Sequence, residues 1–174
     1  MTPEFSRPER LDQIHERERV VEVSAKPDER AALAARFDLL AIDRLEAHFS
    51  IRREAAGITA RGRVVADVVQ ACSITGEPMT TRVDEAADLL FVRHDHAGSP
   101  EELELSADAL DQVPFSGDRI DLGEAAAETM ALALDPFPRS PAAADALREA
   151  GVLTEEEAKP QGKLAGLKDL LDRR

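Results

Sequence analysis

Residues 45–72 constrain this chain more than any other stretch. Leu45, Ala47, Phe49 and Ile51 alternate with Glu46, His48, Ser50 and Arg52. A period of two builds a strand with one buried face and one wet face. Glu54-Ala55-Ala56-Gly57 supplies a turn, and Ile58 to Cys72 supplies a second strand with Ala60, Val64, Ala66 and Val68 in phase. A four-residue turn sets Arg53 opposite Ile58. Ile51 then faces Ala60, Phe49 faces Gly62, Ala47 faces Val64 and Leu45 faces Ala66. Every pair on that face is apolar or glycine, and Phe49 covers a strand glycine. A slip of one residue would mix the two faces, so the register is strongly specified.

The wet face of this pair collects Arg52, Arg61 and Arg63 beside His48, Ser50 and Thr59. The chain around them is strongly acidic, with a net charge of −13. The last twenty residues carry equal numbers of acidic and basic side chains, so the whole excess lies upstream. Two readings of the arginines follow. They can be neutralised by nearby carboxylates, as surface charges commonly are. They can instead form a patch that contacts phosphate. An acidic domain is repelled by bulk nucleic-acid backbone, so RNA contact would need such a patch or a protein intermediary. Trp and Tyr are absent, which removes the usual platforms for stacking bases. Acidity also has a plain role in solubility.

The remaining elements are shorter. Val20-Val21-Glu22-Val23 is a strand candidate. Pro27-Asp28-Glu29 suits the first turn of a helix, where proline fits and acids meet the positive end of the dipole. Leu33 and Phe37 continue that helix on one face. Met79 to Val92 is a third long strand. Simple pairing of this strand sets Glu85 opposite Ala66, which predicts a bulge. Residues 93–119 are acidic and interrupted by Gly98, Pro100, Pro114 and Gly117, and are expected to form a loop with a short strand near Leu103-Glu104-Leu105. Asp121 is expected to cap a helix, with Glu124 three residues on as in a capping box. Ala126, Met130 and Ala133 give that helix a buried stripe. Asp135-Pro136-Phe137-Pro138 ends it. The expected fold is α+β: an antiparallel, strongly twisted sheet of long hairpin strands packed with two or three helices. Residues 1–141 form one domain. Residues 142–174 form a flexible tail, in which Leu164, Leu167, Leu170 and Leu171 can make a short amphipathic helix.

Few patterns in the chain carry chemistry. Phosphate-binding glycine loops and the G-x-S-x-G nucleophile elbow are missing. His94-Asp95-His96 could place two imidazoles on one strand face, yet no thiol or further histidine lies near them in sequence, and a solvated loop is the plainer reading. Cys72, the single cysteine, is either a nucleophile or a small apolar residue at a strand end. No basic neighbour is present to activate it. A lone cysteine also rules out an internal disulfide and fits a reducing compartment. No apolar run is long enough to span a bilayer, and the N-terminus lacks an apolar signal core. The expectation is a cytoplasmic protein with no catalytic residues, no cofactor, no metal, no membrane association and no small-molecule substrate.

One ordered set of motifs resembles a known family. A strand ends in Cys72, followed by Ser73-Ile74-Thr75-Gly76-Glu77-Pro78 and another strand. An acidic stretch leads to Asp118-Arg119-Ile120-Asp121-Leu122-Gly123-Glu124, then Glu128, Leu132, Leu134 and Asp135-Pro136-Phe137-Pro138-Arg139. Together these resemble the YceD family of large ribosomal RNA subunit accumulation proteins, most closely over 58–139, and Phe5-Ser6-Arg7-Pro8 looks like the opening of its proteobacterial members. The resemblance implies a non-enzymatic role in 23S ribosomal RNA accumulation or processing and in large-subunit biogenesis. Its implied partners are ribosomal RNA or ribosome-assembly proteins. Many members carry C-x-x-C at the turn. Here the second position is Thr75, so a two-thiol metal or redox role is not available there. The matching residues Cys72, Thr75, Glu77, Pro78, Asp121, Leu122, Gly123, Glu124, Pro136 and Pro138 also have structural readings as turn formers, helix caps and helix stops. Two mechanisms stay open. Arg52, Arg61 and Arg63 can form an RNA-contacting face, or the acidic surface can act as an adaptor for a basic ribosomal protein or a processing enzyme.

Overall fold

A computed structural model describes residues 3–93 and 110–152. Two compact units are distinguished. The first comprises Met1–Ala71 and Pro78–Pro136, and the second comprises Cys72–Glu77 and Phe137–Arg174. The 141 boundary expected from sequence lies inside the second unit. The His94-Asp95-His96 pair, the strand expected near 103–105 and the leucines of 164–171 fall outside the described residues.

The first unit is built on a five-stranded sheet in the order β2-β3-β4-β5-β6. The strands are β2 (Arg19–Ser24), β3 (Ala41–Glu54), β4 (Gly57–Ala71), β5 (Pro78–Arg93) and β6 (Asp111–Phe115). A separate pair joins β1 (Pro8–Arg10) to β7 (Arg119–Asp121). Two helices, α1 (Pro27–Arg36) and α2 (Leu122–Leu132), belong to this unit. The class is α+β, with a mostly antiparallel sheet of long strands and, in the second unit, a third helix, α3 (Ala143–Glu149).

The β3/β4 register is the one the alternation predicts. Arg53 pairs with Ile58, Ile51 with Ala60, Phe49 with Gly62, Ala47 with Val64 and Leu45 with Ala66. These apolar residues, with Gly62 between them, line the inner face and pack beneath α2. Leu45, Phe49, Ile51, Ala60, Val64 and Ala66 are all buried. Leu122, Ala125, Ala126, Ala127 and Met130 of α2 close over them. The alanines let the helix lie close to the sheet, so a core poor in aromatics still fills. Phe5, Leu33 and Ile14 complete it from the N-terminal segment and α1.

Gly62 has a stronger reason than an aromatic cover. A Cβ placed there would lie 1.8 Å from the His48 carbonyl oxygen, which is backbone and cannot swing aside. Gly123 is similar, because its Cβ would lie 2.4 Å from the Phe5 carbonyl oxygen. That close approach seats the first turn of α2 against the N-terminal segment.

Several expectations are corrected. The β4/β5 ladder runs unbroken from Ile58–Phe91 to Ala71–Pro78, without a bulge. The turn between the strands takes up all of Cys72–Glu77. Val83 therefore faces Ala66, and Glu85 faces Val64. The register shift lies instead between β3 and β4, where Asp43 is left over between Ile42 and Arg44. The segment 93–119 holds β6 and the first residue of β7, strands that its acidity and prolines hid. Of these, β6 pairs with β5 in parallel, so the sheet is mixed. Pro114 is tolerated because β6 is an edge strand. In α2, Ala126 and Met130 are buried but Ala133 is exposed, since the helix stops at Leu132 and Ala133 is its cap.

Replacing Gly62 with alanine forces backbone apart at the centre of the sheet. Gly62→Ala is expected to cost about 2–4 kcal/mol, a size reserved for overpacking and backbone strain. Urea unfolding of the variant against the parent measures it.

Candidate functional site

The sheet's outer face bears the three arginines singled out from sequence. Arg61 and Arg63 stand on β4, and Arg52 on β3 is paired with Thr59. All three are exposed, and each meets a carboxylate. Arg52 pairs with Glu54 at 2.5 Å, Arg61 with Asp88 at 3.8 Å, and Arg63 with Asp84. Arg44, on the same face, pairs with Glu46 at 2.6 Å. Arg61 and Arg63 reach across from β4 to β5, while Arg52 and Arg44 pair along β3 itself; exposed pairs of either kind are worth a few tenths to about 1 kcal/mol each. Their larger effect is on the field, because each guanidinium is offset locally before any phosphate arrives. An open groove of about 600 Å³ runs beside them, lined by Glu22, Arg44, Glu46, His48 and Arg63 among others. Its charge is mixed.

Asp121 is the busiest of the family-motif residues. Its carboxylate accepts from Gly123 N at 3.0 Å and Glu124 N at 3.2 Å, capping α2. It also accepts from Arg7 N at 2.7 Å and from the Ser6 hydroxyl. Glu124 does not close a capping box. It makes a bidentate pair with Arg36, at 3.0 and 2.7 Å. Arg36 also takes Glu4 at 3.0 Å, and these carboxylates hold its guanidinium above its ordinary pKa. A parallel arrangement holds α1. Glu29 accepts from Lys26 N and binds Arg7 through two bonds of 2.8 Å. The Arg7 guanidinium pulls the Glu29 carboxyl down to about 2. Glu29 suits the start of a helix, as its position implies, yet its main partner lies 22 residues away. Leu122 and Gly123 are buried in the packing of α2, and Pro136 is exposed beyond its end.

The second unit holds Cys72. Its thiol is buried and accepts N–H bonds from Ser140 at 3.3 Å and Thr75 at 3.5 Å. Ser73 donates through N and Oγ to the Pro138 carbonyl, at 2.8 and 3.0 Å. Glu77 accepts from the hydroxyls of Thr75 at 3.2 Å and Ser140 at 3.3 Å. Gly76, at φ 74°, supplies the left-handed residue of the turn. The donor bonds, that of Ser140 first, draw the thiol down to about 6. The absence of a basic neighbour is therefore not decisive, because backbone amides stabilise the thiolate instead. Sequence could not show this, since Ser140 is 68 residues away.

A second cleft was not visible in the sequence. It lies between α2 and the β5–β6 side of the sheet, with a volume of about 430 Å³. Ala87, Leu89 and Ala125 form a buried floor, and Val113 is partly buried beside them. Glu85, Asp111, Glu128 and Leu132 stand exposed around it. Glu85, read from sequence as the sign of a bulge, instead lies opposite Val64 at the edge of this cleft.

Among the described residues, no group of three or more His, Cys, Asp or Glu side chains could hold a metal ion. No described helix is long and apolar enough to cross a membrane. The fold and its surfaces define an acidic α+β domain. The model of the family described as large ribosomal RNA subunit accumulation protein YceD matches residues 60–171. The chain belongs to that family. The match extends past 141 into the segment read as a tail, and begins beyond the Phe5–Pro8 opening. No curated protein and no solved structure matches the chain.

The ultraviolet absorbance of the Cys72 thiolate should rise with pH about a midpoint near 6 in the folded protein. In the unfolded chain the midpoint should return to about 8.5. Ser140→Pro removes the leading N–H donor and should raise the folded midpoint by about one unit. Absorbance titration of the buried thiol, with and without denaturant, reads both.

Proposed function

We propose that this protein is a non-enzymatic factor in 23S ribosomal RNA accumulation and large-subunit biogenesis, and that it acts by binding a basic protein partner. Family membership supports the first half. The second half rests on one observation: Arg52, Arg61 and Arg63 each face a carboxylate of the same unit. A phosphate approaching that face meets offset guanidinium groups within a chain of net charge −13. A basic protein meets the same field as an attraction, which speeds its encounter. The proposal places the protein in the cytoplasm, where an acidic adaptor would meet basic assembly proteins, and assigns it no cofactor and no small-molecule substrate.

The competing mechanism is direct RNA contact through Arg52, Arg61 and Arg63, which are half exposed on adjacent strands. One experiment separates the two. Depleting the protein should lower 23S ribosomal RNA and large subunits in a gradient profile. Re-expressing Arg61→Glu/Arg63→Glu should restore both, because those ion pairs contribute only about 0.5 kcal/mol each to the fold. A folded variant that fails to rescue would favour RNA contact. Normal profiles on depletion would remove the ribosomal role altogether.

A further inference from the structure

We propose that the cleft between α2 and the β5–β6 side of the sheet is a docking site for a basic, amphipathic segment of a partner protein, an inference that rests on the adaptor reading above. Its floor is apolar: Ala87, Leu89 and Ala125 are buried, and Val113 partly so. Leu132 stands at its edge with 87% of its surface exposed. Its place beside the apolar floor makes the apolar surface continuous and offers a contact for an inserted side chain.

The charges decide the occupant. Glu85, Asp111 and Glu128 line the cleft, and none of them has an ion pair among the described residues. Arg36, whose charge reaches Glu128, is already held by Glu124 and Glu4. On the outer face, in contrast, every arginine singled out from sequence has its carboxylate. Glu128 is raised above the ordinary carboxylate range by partial desolvation and by Glu124, so a cation arriving there relieves an existing cost. The complement of this surface is one apolar side chain flanked by lysine or arginine, as on one face of an amphipathic helix. Nucleic acid carries the wrong sign for this surface. The chain's own segment 94–109 is itself acidic, so it shares the sign of the cleft.

The test uses the full chain and a labelled helical peptide of roughly 18 residues, with leucine along one face and lysine on the other. A scrambled peptide of the same composition is the control. Fluorescence anisotropy reads affinity, and hydrogen exchange locates the contact. The ordered peptide should bind more tightly than the scrambled one and protect 85–89, 111–113 and 125–133. Leu132→Asp and Glu85→Lys/Glu128→Lys should each weaken it about tenfold, the latter with loss of salt dependence. All three positions are exposed, so the variants should keep the parent's circular dichroism. Equal affinity in parent and variants would overturn the proposal. So would protection confined to the arginine face, or a self-associated parent in sedimentation that Leu132→Asp renders monomeric. A parent that binds no peptide, with exchange rising in 94–109 on Leu132→Asp, would make the chain's own segment the occupant and also overturn it. A normal ribosomal profile on depletion with intact peptide binding would remove the ribosomal role and leave the cleft.

Discussion

The first unit depends on one carboxylate. Asp121 accepts from four donors: Ser6 Oγ, Arg7 N, Gly123 N and Glu124 N. Bonds from an ionised acceptor to backbone N–H are among the stronger ones in a protein. Two of these fix the start of α2. The other two fix the N-terminal segment, whose Phe5 is fully buried and whose Arg7 then binds Glu29 at the start of α1. Gly123 permits the approach by having no side chain where the Phe5 carbonyl sits. One anion thus sets α2 on the sheet and ties α1 to the same point. The cleft beside β5 and β6 exists because α2 is held there.

The sheet beneath it divides function between its faces. The inner face is all packing, with a register that leaves only Gly62 able to meet the His48 carbonyl. The outer face carries the arginines, and their charges are largely spent on neighbouring carboxylates. Where α2 ends, the inner face opens, and Glu85, Asp111 and Glu128 stand there without an ion pair among the described residues. On the proposed reading, those acids beside an apolar floor receive positive charge.

Legibility in the sequence followed the range of the interactions. The β3/β4 register was readable from the turn back to Leu45, because alternation and a short turn are local and one slip would bury arginine, but the irregularity at Asp43 left no such trace. The start of α2 was readable from Asp121, but the use of Glu124 was not. A capping box and a distant arginine compete for the same carboxylate, and only the fold brings Arg36 to it. β6 and β7 were hidden, since a five-residue strand containing Pro114 looks like a loop until its neighbour is known. The arginines were found, while their partners Asp84 and Asp88 were not, because they depend on the β4/β5 register. That register was misjudged by the length of the Cys72–Glu77 turn. The family resemblance came from motifs whose residues turn out to cap, turn and pack, so it identified the chain without marking a site. The depressed thiol of Cys72 and the α2 cleft both need residues far apart in sequence, and neither leaves a local trace.

On the proposed reading, this protein meets the ribosomal assembly pathway through protein rather than through RNA. Titrating labelled, protein-free 23S ribosomal RNA with the purified chain at about 50 mM salt tests it most directly, since phosphate contacts are strongest there. No saturable binding is expected. Saturable binding that weakens with salt, at a slope matching several phosphates, and that is lost in Arg61→Glu/Arg63→Glu, would contradict it.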